Sequence, residues 1–397
     1  MKKNIKKNIL NFIDLFCGAG GLSLGFEKEG FNCIGAIDND KYAIETHDLN
    51  FKDSKSICAD IETISPENFA KIIDNKKVDI IIGGPPCPTF STIGHAKIQS
   101  LGNNVYDDKR NRLFKNFLDY VEYFQPEFFV IENVPNFITK YDGKIFKSAL
   151  DHIHNIKGDY NVSLPVKVLN AVNFGVPQNR KRMFLIGYKT NYKYEYPEET
   201  HFGYENSNKT PDLFANRSKL NKFINVFDAI SDLPKITDNW KVDEVSYSKN
   251  ENLSDYQKMM RTNTKSSVRN NRCRMTNDRA KKLFPHLKPG MKYMDLEPEI
   301  RKILPFREDI FFDRLKRIDY SKPCWTVIAH IGMDGYMYIH PEEQRTLSVR
   351  EAARIQSFPD DFIFVGNMQQ MYVQVGNAVP YLVSKKIAES VKKYLIH

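Results

Sequence analysis

"DLFCGAGGLSLGF", residues 14–26, is the stretch on which the fold turns: an apolar run of β type breaks into a glycine-rich turn, and the turn opens a helix. Gly18, Gly20 and Gly21 let the backbone come close to a ligand above the carboxyl edge of a sheet, where open α/β folds bind nucleotides. The pattern departs from the dinucleotide fingerprint, because Ser23 stands where the third glycine belongs, and a nicotinamide cofactor is therefore disfavoured. About twenty residues on, "GAIDND" ends a second β-like run at Asp38, whose carboxylate is placed to accept both hydrogen bonds of a ribose diol.

Working outward, β-like runs continue to alternate with helical patterns. "NCIGAID" precedes "KYAIETHDLN", "VDIIIGG" follows, and "LFKNFLDYVEYFQ" leads into "EFFVIENV" and "RMFLIGY". Alternation of this kind predicts an α/β fold built from βαβ units around a mostly parallel, buried sheet. From about Tyr188 the character changes, and residues 190–270 are polar, with few apolar runs and no period, so loops and an irregular insertion are expected. Order returns near the end. Ser348 with Glu351 three residues later predicts a capped helix, and "YLVSKKIAESVKKYL" a second, amphipathic one.

Composition narrows the function classes. A chain of 397 residues with 41% hydrophobic content is long enough for a large core, and no apolar run approaches a membrane span. The basic start lacks an apolar stretch ending in a cleavage site, so a cytoplasmic protein is expected. Six cysteines without CxxC spacing fit free thiols, and no metal site is expected, His330 and His340 reading as structural. The net charge of +9 favours a polyanionic partner, and its distribution is local: residues 256–320 hold 17 Lys and Arg against 8 Asp and Glu.

The run "IIGGPPCPTF", residues 81–90, surrounds Cys87 with Pro85, Pro86 and Pro88, which leave the chain few conformations around that thiol. In "QNRKRMF", Arg180 and Arg182 alternate with Lys181, so a continuous extended strand would turn both arginines to one face.

Taken in order, "DLFCGAGGLSLGF", "GGPPCPTFS", "IENVPNF", "FGVPQNRKRMFLIG", "RTLSVREAARIQSFP" and "VGNAVP" resemble the DNA (cytosine-5) methyltransferases, and the match leaves mainly 190–320 uncovered. The resemblance implies a Rossmann-like class I methyltransferase domain with a mostly parallel sheet, covering 1–189 and completed by a C-terminal helix, 375–397. It also implies a smaller, irregular target-recognition domain over 190–345, linked back through 346–374. The cofactor implied is S-adenosyl-L-methionine. By resemblance Phe16, Gly18, Gly20 and Leu22 meet its methionine end or adenine edge, Asp38 its ribose and Asp60 its adenine amino group. Leu113 lines the adenine pocket, and Asn377 and Val379 close the site.

For catalysis the resemblance makes Cys87 the nucleophile that adds to cytosine carbon 6, because carbon 5 is otherwise a poor nucleophile. Glu132 then serves ring nitrogen 3, burial being expected to raise its affinity for protons, while Asn133 supports the loop. Arg182 contacts the cytosine O2, and Arg180 holds the glutamate and the loop. The target base must be flipped out of the duplex, and "STIGHAKIQSLGNNVYDD" has the length of a lid over it. The implied partners are double-stranded DNA, read by a monomer near the nucleoid, and a restriction endonuclease whose cutting the modification blocks. Two departures stand out: Asp38-Asn39 replaces the Glu-aromatic pair of many members, and Pro88 replaces a glutamine. The alternatives are a transfer-RNA cytosine-5 methyltransferase, though neither Cys273 nor Cys324 is followed by Phe-Thr, and a non-catalytic DNA-binding relative, which would need neither Cys87 nor Glu132.

Overall fold

A computed structural model describes residues 9–86, 112–202, 220–236, 242–248, 252–264, 266–307 and 313–395. The chain divides into two compact units. The first comprises Met1–Asn170, Lys181–Glu198 and Val383–His397; the second comprises Ala171–Arg180 and Glu199–Leu382.

The first unit is organised by one eight-stranded sheet. Its strands are β1 (Asn11–Leu15), β2 (Asn32–Asp38), β3 (Lys55–Cys58), β4 (Ile80–Gly83), β5 (Phe128–Asn133), β6 (Tyr160–Val162), β7 (Lys167–Asn170) and, after the two-residue β8 (Gln178–Asn179) of the second unit, β9 (Lys181–Lys189). The order is β3-β2-β1-β4-β5-β9-β6, with β7 also on β9. The first five strands run parallel, and β9 is antiparallel to β5, β6 and β7. This is the mostly parallel α/β sheet that the alternation predicts. Strand β4 is buried throughout and β5 at all but one position, because helices cover both faces of such a sheet.

Connections set the site. From β1 the chain builds β2 and β3 to one side and then β4 and β5 to the other, so the carboxyl ends of β1 and β4 flank the point where the winding reverses. Helix α1 (Gly21–Lys28) starts from Gly20 at φ 95°, α2 (Lys41–Asn50) is capped by Asp40, and α3 (Pro66–Ile72) by Ser65. The last helix, Tyr381–Leu395, packs on α1 through its residues from Val383 onward. Ser384 donates to the Leu22 carbonyl, and a Cβ at Gly25 would overlap Ser384 and the Lys385 backbone.

The second unit is made of short pieces: two-residue strand pairs such as β8 with Cys324–Trp325, and helices such as Val226–Ile230, Asp255–Met260, Val349–Ile355 and Met368–Asn377. Ser348 caps its helix, accepting from the Glu351 amide at 3.0 Å while the Glu351 carboxylate accepts from the Ser348 amide. A small apolar core gathers Leu283, Phe284, Tyr293, Leu296, Leu315 and Ile339.

Part of the basic excess of 256–320 is used inside the second unit. Arg261 pairs with Asp232, Arg272 with Asp243 and Arg314 with Asp334, while Arg274 donates to the Ile331 carbonyl and buried Arg317 to those of His340 and Phe284. These guanidinium groups hold loops together, because segments this short leave carbonyls that no helix or sheet satisfies. Arg279, Lys281, Lys282 and Lys288 are exposed.

Candidate active site

Five strand ends of the first unit bring several of the predicted residues to one edge. Just past β1, Phe16 has φ 65° and Gly18 φ 53°, so the chain turns through left-handed backbone at once. The Gly18 amide donates to Asp38 Oδ2 at 2.8 Å and the Asp40 amide to Oδ1 at 2.9 Å, which locks the turn to the end of β2. Burial pushes the Asp38 carboxyl above its usual range, against the pull of these amides. Each oxygen keeps a lone pair for a further donor.

The edge suits a ribose-bearing ligand. A Cβ added at Gly18 would meet nothing within 4 Å, so space lies open above the turn. Phe16 and Leu113 pack partly buried on the core, offering apolar walls, and Leu22 is buried in the first turn of α1. Asp60 is exposed just past β3; the preceding Ala59 amide donates to the Asp38 carbonyl, and Asp60 itself accepts from the Glu62 amide at 3.0 Å.

The catalytic candidates follow from β4 and β5. Beyond Gly83 the chain passes Gly84, where a Cβ would stand 3.0 Å from Glu132 Oε2, so glycine is what lets it run alongside that carboxylate. Asn133 donates from Nδ2 to the Pro85 carbonyl at 3.2 Å. Cys87, like the lid-like stretch after it, lies outside the described residues, which reach its neighbour Pro86. Glu132 Oε1 is 2.8 Å from Arg182 Nε, with 13% and 17% of the two side chains exposed.

The two arginines do not share a strand. β8 ends at Asn179 and β9 begins at Lys181, so the alternation is interrupted at Arg180. Arg180 belongs to the second unit, where it is buried and donates to the carbonyls of Val327 at 2.6 Å and Gly376 at 3.2 Å. It holds the turn that carries exposed Asn377 and buried Val379, and Gln356 holds the same turn through the carbonyls of Val375 and Ala378. A Cβ at Gly376 would overlap the peptide joining Ile328 and Ala329.

One group among the described residues, His340, Glu343 and Glu351, could converge on an ion. Arg345 already supplies the cation, donating to both carboxylates at 2.7–3.0 Å, and His340 Nδ1 accepts from the amides of Glu342 and Glu343. Sequence reasoning missed Asp14, Ser23 and His47, a buried polar group beside the glycine-rich turn. The signal was a charged residue inside the apolar run "NFIDLF".

Residues 10–393 match the family described as C-5 cytosine-specific DNA methylase. The chain belongs to that family. M1.HphI of Haemophilus parahaemolyticus, a type II methyltransferase, is 35% identical over 97% of this chain and 87% of its own length. M.OihORF3336P of Oceanobacillus iheyensis, assigned as a type II methyltransferase, is 34% identical over 98% and 96%. A solved E. coli structure, assigned as a DNA modification methyltransferase encoded within a prophage, superposes with a TM-score of 0.74 at 28% identity, covering 98% of this chain and all of the other. The protein is thus a cytosine-5 DNA methyltransferase of the restriction–modification type. No described helix of the methyltransferase is long and apolar enough to cross a membrane.

Proposed function

We propose that the methyltransferase modifies carbon 5 of a cytosine flipped out of a short duplex DNA sequence, through a covalent adduct between Cys87 and carbon 6. The observation that carries this reading is the Glu132–Arg182 pair standing beside Gly84, with Asn133 fastening Pro85 two residues before the thiol. S-adenosyl-L-methionine, when bound, supplies an electrophilic methyl group. Phe16, Gly18, Gly20, Leu22, Asp38, Asp60 and Leu113 hold it at the first unit's edge; the family resemblance adds Asn377 and Val379 as further candidates.

In the reaction the Cys87 sulfur bonds to carbon 6, the C5–C6 π pair shifts to lie between carbons 4 and 5, and the C4–N3 π pair moves onto nitrogen 3, which takes a proton from Glu132. Arg182 orients that carboxyl and offers its remaining N–H groups to O2. Once carbon 5 has gained the methyl group, a base removes its proton, the freed pair re-forms the C5–C6 double bond as the Cys87 thiolate leaves, and nitrogen 3 returns its proton to Glu132, restoring the aromatic ring. Arg180 acts at one remove, by shaping the Asn377 turn. DNA is read by residues 190–345, with Arg279, Lys281, Lys282 and Lys288 as the phosphate contacts. We further propose that the protein works as a cytoplasmic monomer and that a partner endonuclease is blocked by the mark, as the type II names of its relatives suggest.

The test is expression in a host without cytosine methylation, followed by bisulfite sequencing of the genome. Protected cytosines in one short context are expected, and Cys87→Ala should abolish them while DNA binding persists. Undiminished protection in that variant overturns the nucleophile; none in the wild type overturns the reading.

A further inference from the structure

Beside the glycine-rich turn, three polar side chains lie in an otherwise apolar layer. Asp14 on β1, Ser23 on α1 and His47 on α2 are each at most 1% exposed. Ser23 Oγ donates to Asp14 Oδ2 at 2.5 Å and stands 3.3 Å from His47 Nε2. His47 Nδ1 lies 2.9 Å from Ser56 Oγ, which in turn donates to Ser54 Oγ at 3.3 Å. The polar contacts therefore run without a break from Ser56 through His47 and Ser23 to Asp14.

The same imidazole touches the turn. It stacks on Phe51 with ring centroids 4.2 Å apart, and a Cβ at Gly20 would overlap Phe51 and stand 3.0 Å from the His47 ring. Gly20 thus rests on two rings, one of which has its orientation set by the hydrogen bonds. Stability does not account for this arrangement: Asp14 Oδ1 is buried without a partner among the described residues, a cost that an apolar side chain would avoid. Burial also keeps the two titrating groups uncharged near neutrality, with Asp14 raised to about 8 and His47 lowered to about 3.

We propose that Asp14, Ser23 and His47 form a positioning relay that holds the Gly18–Gly20 turn in its ligand-binding shape, and so sets the affinity for the cofactor. The proposal rests on the cofactor reading given above and deepens it: none of the three is a catalytic residue.

The experiment is calorimetric titration of the full chain with S-adenosylhomocysteine, the demethylated cofactor, alongside the melting temperature of each variant without ligand. His47→Phe keeps a ring on Phe51 and deletes the hydrogen bonds; His47→Gln keeps a donor near the Nε2 position and deletes the ring. The relay predicts about tenfold weaker binding for His47→Phe and for Ser23→Ala, the scale of one lost hydrogen bond, and near wild-type binding for His47→Gln. Their double variant should be no weaker than either single one, since each breaks the same chain. Tight binding by His47→Phe together with weak binding by His47→Gln would assign the effect to ring packing and overturn the relay. Equal binding by all variants would overturn it too. Failure of the wild type to bind would instead sink the cofactor reading itself.

Discussion

In the first unit the fully buried polar groups are few, and Asp14 and His47 are held neutral near pH 7, whereas the second unit buries full charges. Arg354 donates to both oxygens of Asp360 at 2.6 Å and to Asp232 at 3.1–3.2 Å, and Arg350 reaches the carbonyls of Pro359 and Phe362. Parallel strands of four to seven residues cover each other with apolar side chains, so the sheet needs no internal ions. Two-residue strands cannot do this. Guanidinium groups, with five donors in a rigid fork, then tie loops that have too little apolar surface to bury. The lesson is that the first unit keeps charge at its sheet edge, while charge inside the second unit ties loops together.

Four measurements can break that contrast, beginning with the largest effect. Glu132→Gln should lower the methylation rate by about 10²- to 10⁴-fold, the range of a lost general acid, while the melting temperature hardly moves. A large fall in melting temperature would make the Glu132–Arg182 pair a folding element instead. Next, Asp360→Ala should destabilise by about 3–5 kcal/mol, because it leaves Arg354 buried with part of its charge unmet. Urea unfolding gives the number, and a loss below about 1 kcal/mol would mean that Asp232 alone suffices.

The third measurement is pH dependence, and the two units should respond with opposite signs. Burial raises the Glu351 carboxyl, but Arg345, His340 and the Ser348 amide outweigh it and hold the group at about 2. A depressed folded value means stability present above the ordinary value of 4.5 and lost as pH falls toward about 2. Asp14 is the reverse: burial raises it to about 8 from 3.8, so the folded state holds the extra proton and stability falls as pH rises between those values. Compared with wild type, Asp14→Asn should therefore gain relative stability toward pH 8, and Glu351→Gln should flatten the loss below pH 4.5. Parallel profiles for wild type and Asp14→Asn would show that the carboxyl does not hold its proton. Smallest of all, Lys258→Ala removes an exposed pair with Asp255 and should change stability by less than about 0.5 kcal/mol. A larger loss would show that surface charge also supports the second unit.

Much of the site was legible because it is local. The Gly18–Gly20 turn and Asp38 at the end of a β run follow from the chain's own periodicity, Glu132 from the family resemblance, and strand ends of a parallel sheet share one edge. The basic segment was legible as charge but not as function, since composition does not distinguish an arginine facing solvent from one holding a carbonyl; Arg317 and Arg274 do the latter.

By itself, then, the sequence determined the parallel sheet, the glycine-rich turn, the capped helix at Ser348 and the family, each written in residues close enough along the chain for backbone sterics and side-chain period to act. Only the tertiary structure decided that Arg182 pairs with Glu132 while Arg180 holds Val327 and Gly376, and that Asp14 meets Ser23 and His47 in a buried relay. Those contacts join residues 9 to 196 positions apart, and their partners are chosen by how strands and loops pack and by which polar groups that packing leaves to be satisfied.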